Sequence, residues 1–170
     1  MSTLNFNFVF LGQSVLRNEL PPANLQLVGK IQNEHSLFFD GEPNNKMHPH
    51  NYLPQNVLQW FKKVMHHYLD WNKIMEYETH LNSIWVNEMR EHEYNPVHVH
   101  QGTLYTGLSS VMILKLPKNT GVEYSSTDKP MNGQLQIIGN ASGQFANVDY
   151  GPVLKERSFF VFPYDIRHCV

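Results

Sequence analysis

Gly107-Leu-Ser-Ser-Val-Met-Ile-Leu-Lys-Leu-Pro117 and Ser158-Phe-Phe-Val-Phe-Pro-Tyr-Asp-Ile-Arg-His-Cys-Val170 decide how this chain is read. The first carries the longest aliphatic run and the second is rich in aromatic and β-branched side chains, and neither reads as a long helix. Further short β-prone runs surround them: Val97–His100, Leu104–Leu116, Val122–Tyr124, Gln134–Ile138, Gln144–Val148, Ser158–Phe162 and Ile166–Val170. Turn residues separate them, at 117–121, Asn132-Gly133, 139–143 and Gly151-Pro152. Strands so spaced predict an antiparallel sandwich or barrel, not a parallel sheet with crossover helices.

Working back from this core, period two begins near Asn82, with Ile84, Val86 and Glu88 on one face and Trp85, Asn87 and Met89 on the other. Pro54 to Leu69 is the clearest helix. Val57, Trp60, Phe61, Val64, Met65 and Tyr68 form its apolar stripe, and Gln55, Gln59, Lys62, Lys63 and His66 its polar side. Pro54 suits a first turn, where its missing N–H is no loss. Asp40 to Asn51 reads as an exposed loop, Ala23 to Asn33 as a short helix, Asn18-Glu-Leu-Pro-Pro22 as a breaker and Leu4 to Leu11 as a strand. The expectation is one α+β domain, mainly β, over residues 1–170, with a helical and strand part at 1–80 and the β core at 81–170.

Composition narrows the function. A chain of 170 residues, 41% hydrophobic and 16% charged, has apolar surface enough for one core and argues against disorder. The lone Cys169 excludes an internal disulfide framework and a Cys-based zinc cluster. Thirteen basic against fifteen acidic residues give no electrostatic footprint for nucleic acid. Val111 to Leu114 is the longest aliphatic run, far below the roughly 20 residues of a membrane span, and no signal pattern opens the chain. These features predict a soluble, cytoplasmic protein without membrane or nucleic-acid partners.

Histidine is the unusual residue, with 10 copies. His48-Pro-His50 lies in the polar loop and reads as solvated. In His98-Val-His100 the two imidazoles project from one strand face, which makes two adjacent ligands for a borderline divalent metal. The alternative is a solvated pair at a strand end. His168 is the candidate third ligand, because the apolar run before it can bring it back beside the pair. His66 and His67 on the helix read as solvated, and His35, His80 and His92, which have no partner at ligand spacing, as surface or satisfied core residues. Cys169 neighbours His168, but strand neighbours face opposite ways, so that imidazole is not placed to activate the thiol.

Four stretches together, Ile84-Trp-Val-Asn-Glu-Met89, Tyr94-Asn-Pro-Val-His-Val-His-Gln-Gly102, Gly107 to Pro117 and Phe160-Val-Phe-Pro-Tyr-Asp-Ile-Arg-His168, resemble a known family. It is that of the 2-oxoglutarate- and Fe(II)-dependent oxygenases, related to prolyl hydroxylases, common in marine bacteria and their phages. The resemblance spans roughly residues 80 to 170. It implies a double-stranded β-helix, or jelly roll, whose second strand carries the first metal ligand and whose seventh carries the distal histidine. On this chain those positions are His98 and His168. It further implies that O2 and 2-oxoglutarate are consumed to hydroxylate a peptidyl or small-molecule C–H bond, with release of succinate and CO2.

The chain departs from the family in two places. The usual ligand set is His-x-Asp/Glu with a distal His, whereas the second position here is His100. A three-His face is the favoured reading, with Glu88 as the alternative carboxylate. The family's cosubstrate is usually held by an Arg on the eighth strand, and the sequence ends at Val170 before one. Arg167 should face away from the metal, so Lys115 is the candidate anchor, with Tyr105, Ser110 and Asn87 as candidate hydrogen-bonding partners and Phe160, Phe162 and Tyr105 as candidate pocket walls. The expectation is a domain lacking its last core strand, whose unpaired sheet edge would favour association between copies. Two other readings compete. A cupin-type three-His metalloenzyme would not use 2-oxoglutarate, but lacks the usual Glu after His-x-His and has 67 residues between His100 and His168. A non-enzymatic jelly-roll binding module would carry its histidines incidentally.

Overall fold

A computed structural model describes residues 12–26, 28, 53–87, 89–100, 106–123, 131–140, 143–144, 146 and 148–170. The expected strand Leu4–Leu11 and loop Asp40–Asn51 lie outside them, as does most of the helix expected from Ala23, of which residues 22–26 and 28 are helical and form α1.

Helix α2, Gln55–Trp71, follows Pro54, which stands one position ahead of the first turn and accepts hydrogen bonds from the Val57 and Leu58 N–H groups at 3.0 and 3.1 Å. Val57, Leu58, Phe61, Val64, Tyr68 and Leu69 are buried, so the stripe is wider than its predicted form by Leu58 and Leu69. The helix ends in a left-handed residue, Lys73 at φ 61°, and Ile74 N–H reaches back to the Leu69 carbonyl at 3.1 Å. This is the Schellman arrangement, which satisfies carbonyls that the last turn leaves open.

The strands are β1 (Leu16–Glu19), β2 (Leu108–Met112), β3 (Gln136–Ile138), β4 (Asp149–Tyr150), β5 (Ser158–Pro163) and β6 (Arg167–Cys169). They form two three-stranded antiparallel sheets, ordered β1-β5-β2 and β4-β3-β6. The chain is thus mixed α and β with small antiparallel sheets, which agrees with the expected α+β class and antiparallel pairing.

Strand β5 explains the layering. Its five residues Ser158 to Phe162 are all buried, as expected of an uninterrupted apolar run covered on both faces. Phe159 and Val161 join the core under α2, where Phe159 meets Trp60 and Phe61 at ring distances of 5.1 and 5.5 Å. Phe160 and Phe162 turn the other way, into a second core with Leu135 and Ile137 around β3 and Ile166 before β6.

Several segments depart from expectation for physical reasons. Asn18 and Glu19 belong to β1, paired with Phe159 and Ser158. The ladder ends after Leu20 N–H donates to the Arg157 carbonyl at 2.8 Å, because Pro21 and Pro22 have no N–H to continue it. Val97–His100 is not a continuous strand. Asn95 pairs with Val170 and His98 with His168, so three steps of one chain oppose two of the other, and Pro96 sits at that bulge. Residues 121–123 are not strand, and Val122 is fully exposed; Tyr124 lies outside the described residues. The strand expected at Gln144–Val148 forms at Asp149–Tyr150, where Tyr150 finds Ile137 and Asp149 finds Ile138.

Candidate metal centre

His98 and His168 face each other across an antiparallel bridge, each N–H donating to the other's carbonyl at 3.0 Å. His100 lies two residues on, its N–H donating to the Tyr164 carbonyl at 3.2 Å. Period two puts His98 and His100 on one face, and β6 supplies His168 beside them. The ring centroids are 5.4 Å apart for His98 and His100, 4.3 Å for His98 and His168, and 4.8 Å for His100 and His168. One ligand nitrogen from each ring lies within 4.8 Å of the other two.

The hydrogen bonds decide which nitrogen that is. His98 Nδ1 lies 2.7 Å from the Pro96 carbonyl, and His168 Nδ1 lies 3.0 Å from the Ile166 carbonyl. A carbonyl only accepts, so each Nδ1 carries the proton and each Nε2 keeps its lone pair for a metal. Both histidines use the carbonyl two residues back. His100 Nδ1 is bound instead by Ser109 Oγ at 2.5 Å. His168 is 3% exposed, and burial holds its pKa below the usual histidine value, against the opposing bond to Ile166 and with help from the nearby His98. Neutral imidazole is the ligating form, so burial favours metal binding over protonation.

The donor set fits a divalent ion. Nitrogens about 2.1 Å from one ion stand roughly 3 Å apart in a facial set, so the cluster needs to close by less than about 2 Å. Imidazole suits Zn, Fe, Ni and Cu rather than Mg or Ca.

Other expected site residues are less close. Ser110 pairs with Val161 and shares its face, toward α2. Ser109 is the serine at the histidines, and a one-residue shift in a strand exchanges the two faces. Lys115 is exposed and follows Ser109 by six residues, about 20 Å in extended chain. Asn87 is exposed as well. Tyr105 and Glu88 lie outside the described residues. Arg167 is exposed while His168 is buried, as their opposite orientations require. Phe160 and Phe162 are core residues, and Phe162 meets the His168 ring edge-on at 5.0 Å.

Among the remaining histidines, His66 is bound to Thr79 Oγ1 at 2.7 Å and is half-buried rather than solvated. His80 and His92 are exposed beside Glu78 and Glu91; His35, His48 and His50 are outside the described residues. Cys169 donates to Gln136 Oε1 at 3.7 Å, and burial pushes its thiol pKa up, away from nucleophilic use.

Two neighbours escape sequence reasoning. Ser109 is one, and Trp85, edge-on to His100 at 5.2 Å, is the other. Trp85 was accessible in principle, since Ile84 and Val86 pack toward α2 and the intervening side chain must point away.

Comparison with protein-family models, with characterised proteins and with solved structures finds no match for the chain. Among the described residues no helix is long and apolar enough to cross a membrane.

Proposed function

We propose that this chain is the jelly-roll domain of an Fe(II)- and 2-oxoglutarate-dependent dioxygenase that hydroxylates a peptidyl or small-molecule C–H bond. The observation that carries the reading is the convergence of His98, His100 and His168, with the Nε2 lone pairs of His98 and His168 set by main-chain carbonyls. The order of β segments supports it. Among the described residues, counting from the bridges at Ile84 and Val86, His98 falls on the second segment, β2 to β5 are the third to sixth, and β6 with His168 is the seventh. Those are the places that the family resemblance gives to the two ligands.

Three neutral imidazoles leave the charge of a divalent ion uncompensated, which favours an anionic chelating cosubstrate. Fe(II) and 2-oxoglutarate, when bound, would let O2 act as the oxidant, one oxygen atom going to succinate as CO2 leaves and the other to the hydroxylated C–H bond. The residues orient the ligands, and Phe162 and Ile166 exclude water behind His168. Lys115 carries no part of this reading.

A second reading has one observation in its favour. Arg167 and Lys115, the cations considered for the cosubstrate, are both exposed, and Arg167 faces away from buried His168. A three-His metalloenzyme of cupin type, without 2-oxoglutarate, needs neither. Anaerobic Fe(II) titration followed by assay for succinate separates the two. Succinate that requires both Fe(II) and 2-oxoglutarate supports the first, metal binding with no 2-oxoglutarate binding supports the second, and a wild-type chain that binds no Fe(II), Co(II) or Zn(II) overturns both.

A further inference from the structure

The three histidines are not held alike. His98 and His168 are fixed by carbonyls of their own segments, which can only accept. His100 is held by Ser109 Oγ, a side chain on β2, nine residues along the chain. A hydroxyl can donate or accept, so the bond to Ser109 admits either tautomer of His100. If Ser109 accepts, the proton sits on Nδ1 and Nε2 can ligate. If Ser109 donates to Nδ1, the proton sits on Nε2 and His100 cannot ligate there.

We infer that Ser109 is the positioning residue that makes His100 the third ligand, an inference that rests on the three-His reading above. Its hydroxyl is held in place rather than solvated: Ser109 is 6% exposed and faces Phe162 in the β2–β5 ladder. That strand lies under the cluster, so the β2–β5 register aims Oγ at His100 while Ser110 points to the helix. A hydroxyl fixed on a neighbouring sheet takes the role that carbonyls play for the other two ligands, and outer partners of ligating histidines typically hold 10- to 100-fold in metal affinity.

The test compares two side chains of the same shape at one buried strand position, Ser109→Thr and Ser109→Val. Both are β-branched and suit a strand, and they differ in the hydroxyl alone. The probe is Co(II), read by its visible absorption and by titration, with circular dichroism to check folding. Thr should keep Co(II) affinity within a few-fold of wild type and preserve the spectrum. Val should weaken binding about 10- to 100-fold and give the spectrum of His100→Ala, the two-histidine site. Equal affinities and spectra for Thr and Val would overturn the inference while leaving the metal centre intact, provided His98→Ala still weakens binding. Absence of Co(II) binding by wild type would remove the three-His reading and the inference with it.

Discussion

At the residue scale the two carbonyl-bound ligands differ in what surrounds them. The Ile166 side chain is 1% exposed and His168 is 3% exposed, so removing the imidazole leaves a cavity and a buried carbonyl without its donor. Pro96 is exposed, and its carbonyl can turn to water when His98 is removed. In chelator-treated protein, His168→Ala should therefore cost about 1–3 kcal/mol of unfolding free energy and His98→Ala less than about 1. Urea unfolding of the two variants checks this, and equal losses would show that the buried bond to Ile166 adds nothing. The three histidines could be found in the sequence because residues two apart in extended chain share a face and an apolar run leads to His168. Ser109 could not. Two identical serines stand side by side, and only the pairing with β5 shows which one faces the histidines.

At the element scale β5 works as a partition with a different task on each side. Phe159 anchors α2, whereas Phe162 lies against His168. Phe159→Leu and Phe162→Leu should each destabilise the fold by about 1–2 kcal/mol, since both shrink a filled core site. Metal affinity should separate them, unchanged for Phe159→Leu and about tenfold weaker for Phe162→Leu, by isothermal titration with Zn(II). A parallel fall in affinity for both would mean that β5 transmits stability alone. The far end of α2 offers a pH test. Tyr68 is 5% exposed, donates to the Ser14 carbonyl at 2.9 Å, and burial raises its pKa above 10.0. A raised tyrosine pKa means that the unfolded chain loses the proton first, so the contribution is full below about pH 10 and fades as pH rises through the folded value. Tyr68→Phe should flatten the decline in melting temperature above about pH 10, and an unchanged decline would count against Tyr68 as its source. Elements with a long periodic pattern, α2 above all, could be read directly. The misplaced ones are short and set by partners: β1 ends at two prolines yet pairs up to them, and 95–100 is bent by a bulge that no local pattern announces.

At the scale of the whole molecule the three-histidine cluster joins distant parts of the chain. His98 and His100 precede β2, and His168 lies on β6. An ion bound there closes a loop of about 70 residues, a constraint the unfolded chain lacks. Binding to the native state alone stabilises by about 2.7 kcal/mol when free metal is 100 times its dissociation constant. For a chain of this size that corresponds to a rise in melting temperature of roughly 5–10 °C. Zn(II) or Co(II) should produce this rise, a chelator should reverse it, and Mg(II) should not, because imidazole nitrogen is a poor ligand for that ion. His100→Ala should keep the metal-free melting temperature near that of wild type, because its ring is only half-buried. Its metal-induced rise should shrink, since two ligands remain. A differential scanning experiment on wild type and this variant, with and without metal, separates the clip from nonspecific ion binding. An equal rise in both proteins would show that the ion stabilises the fold from somewhere other than the three histidines.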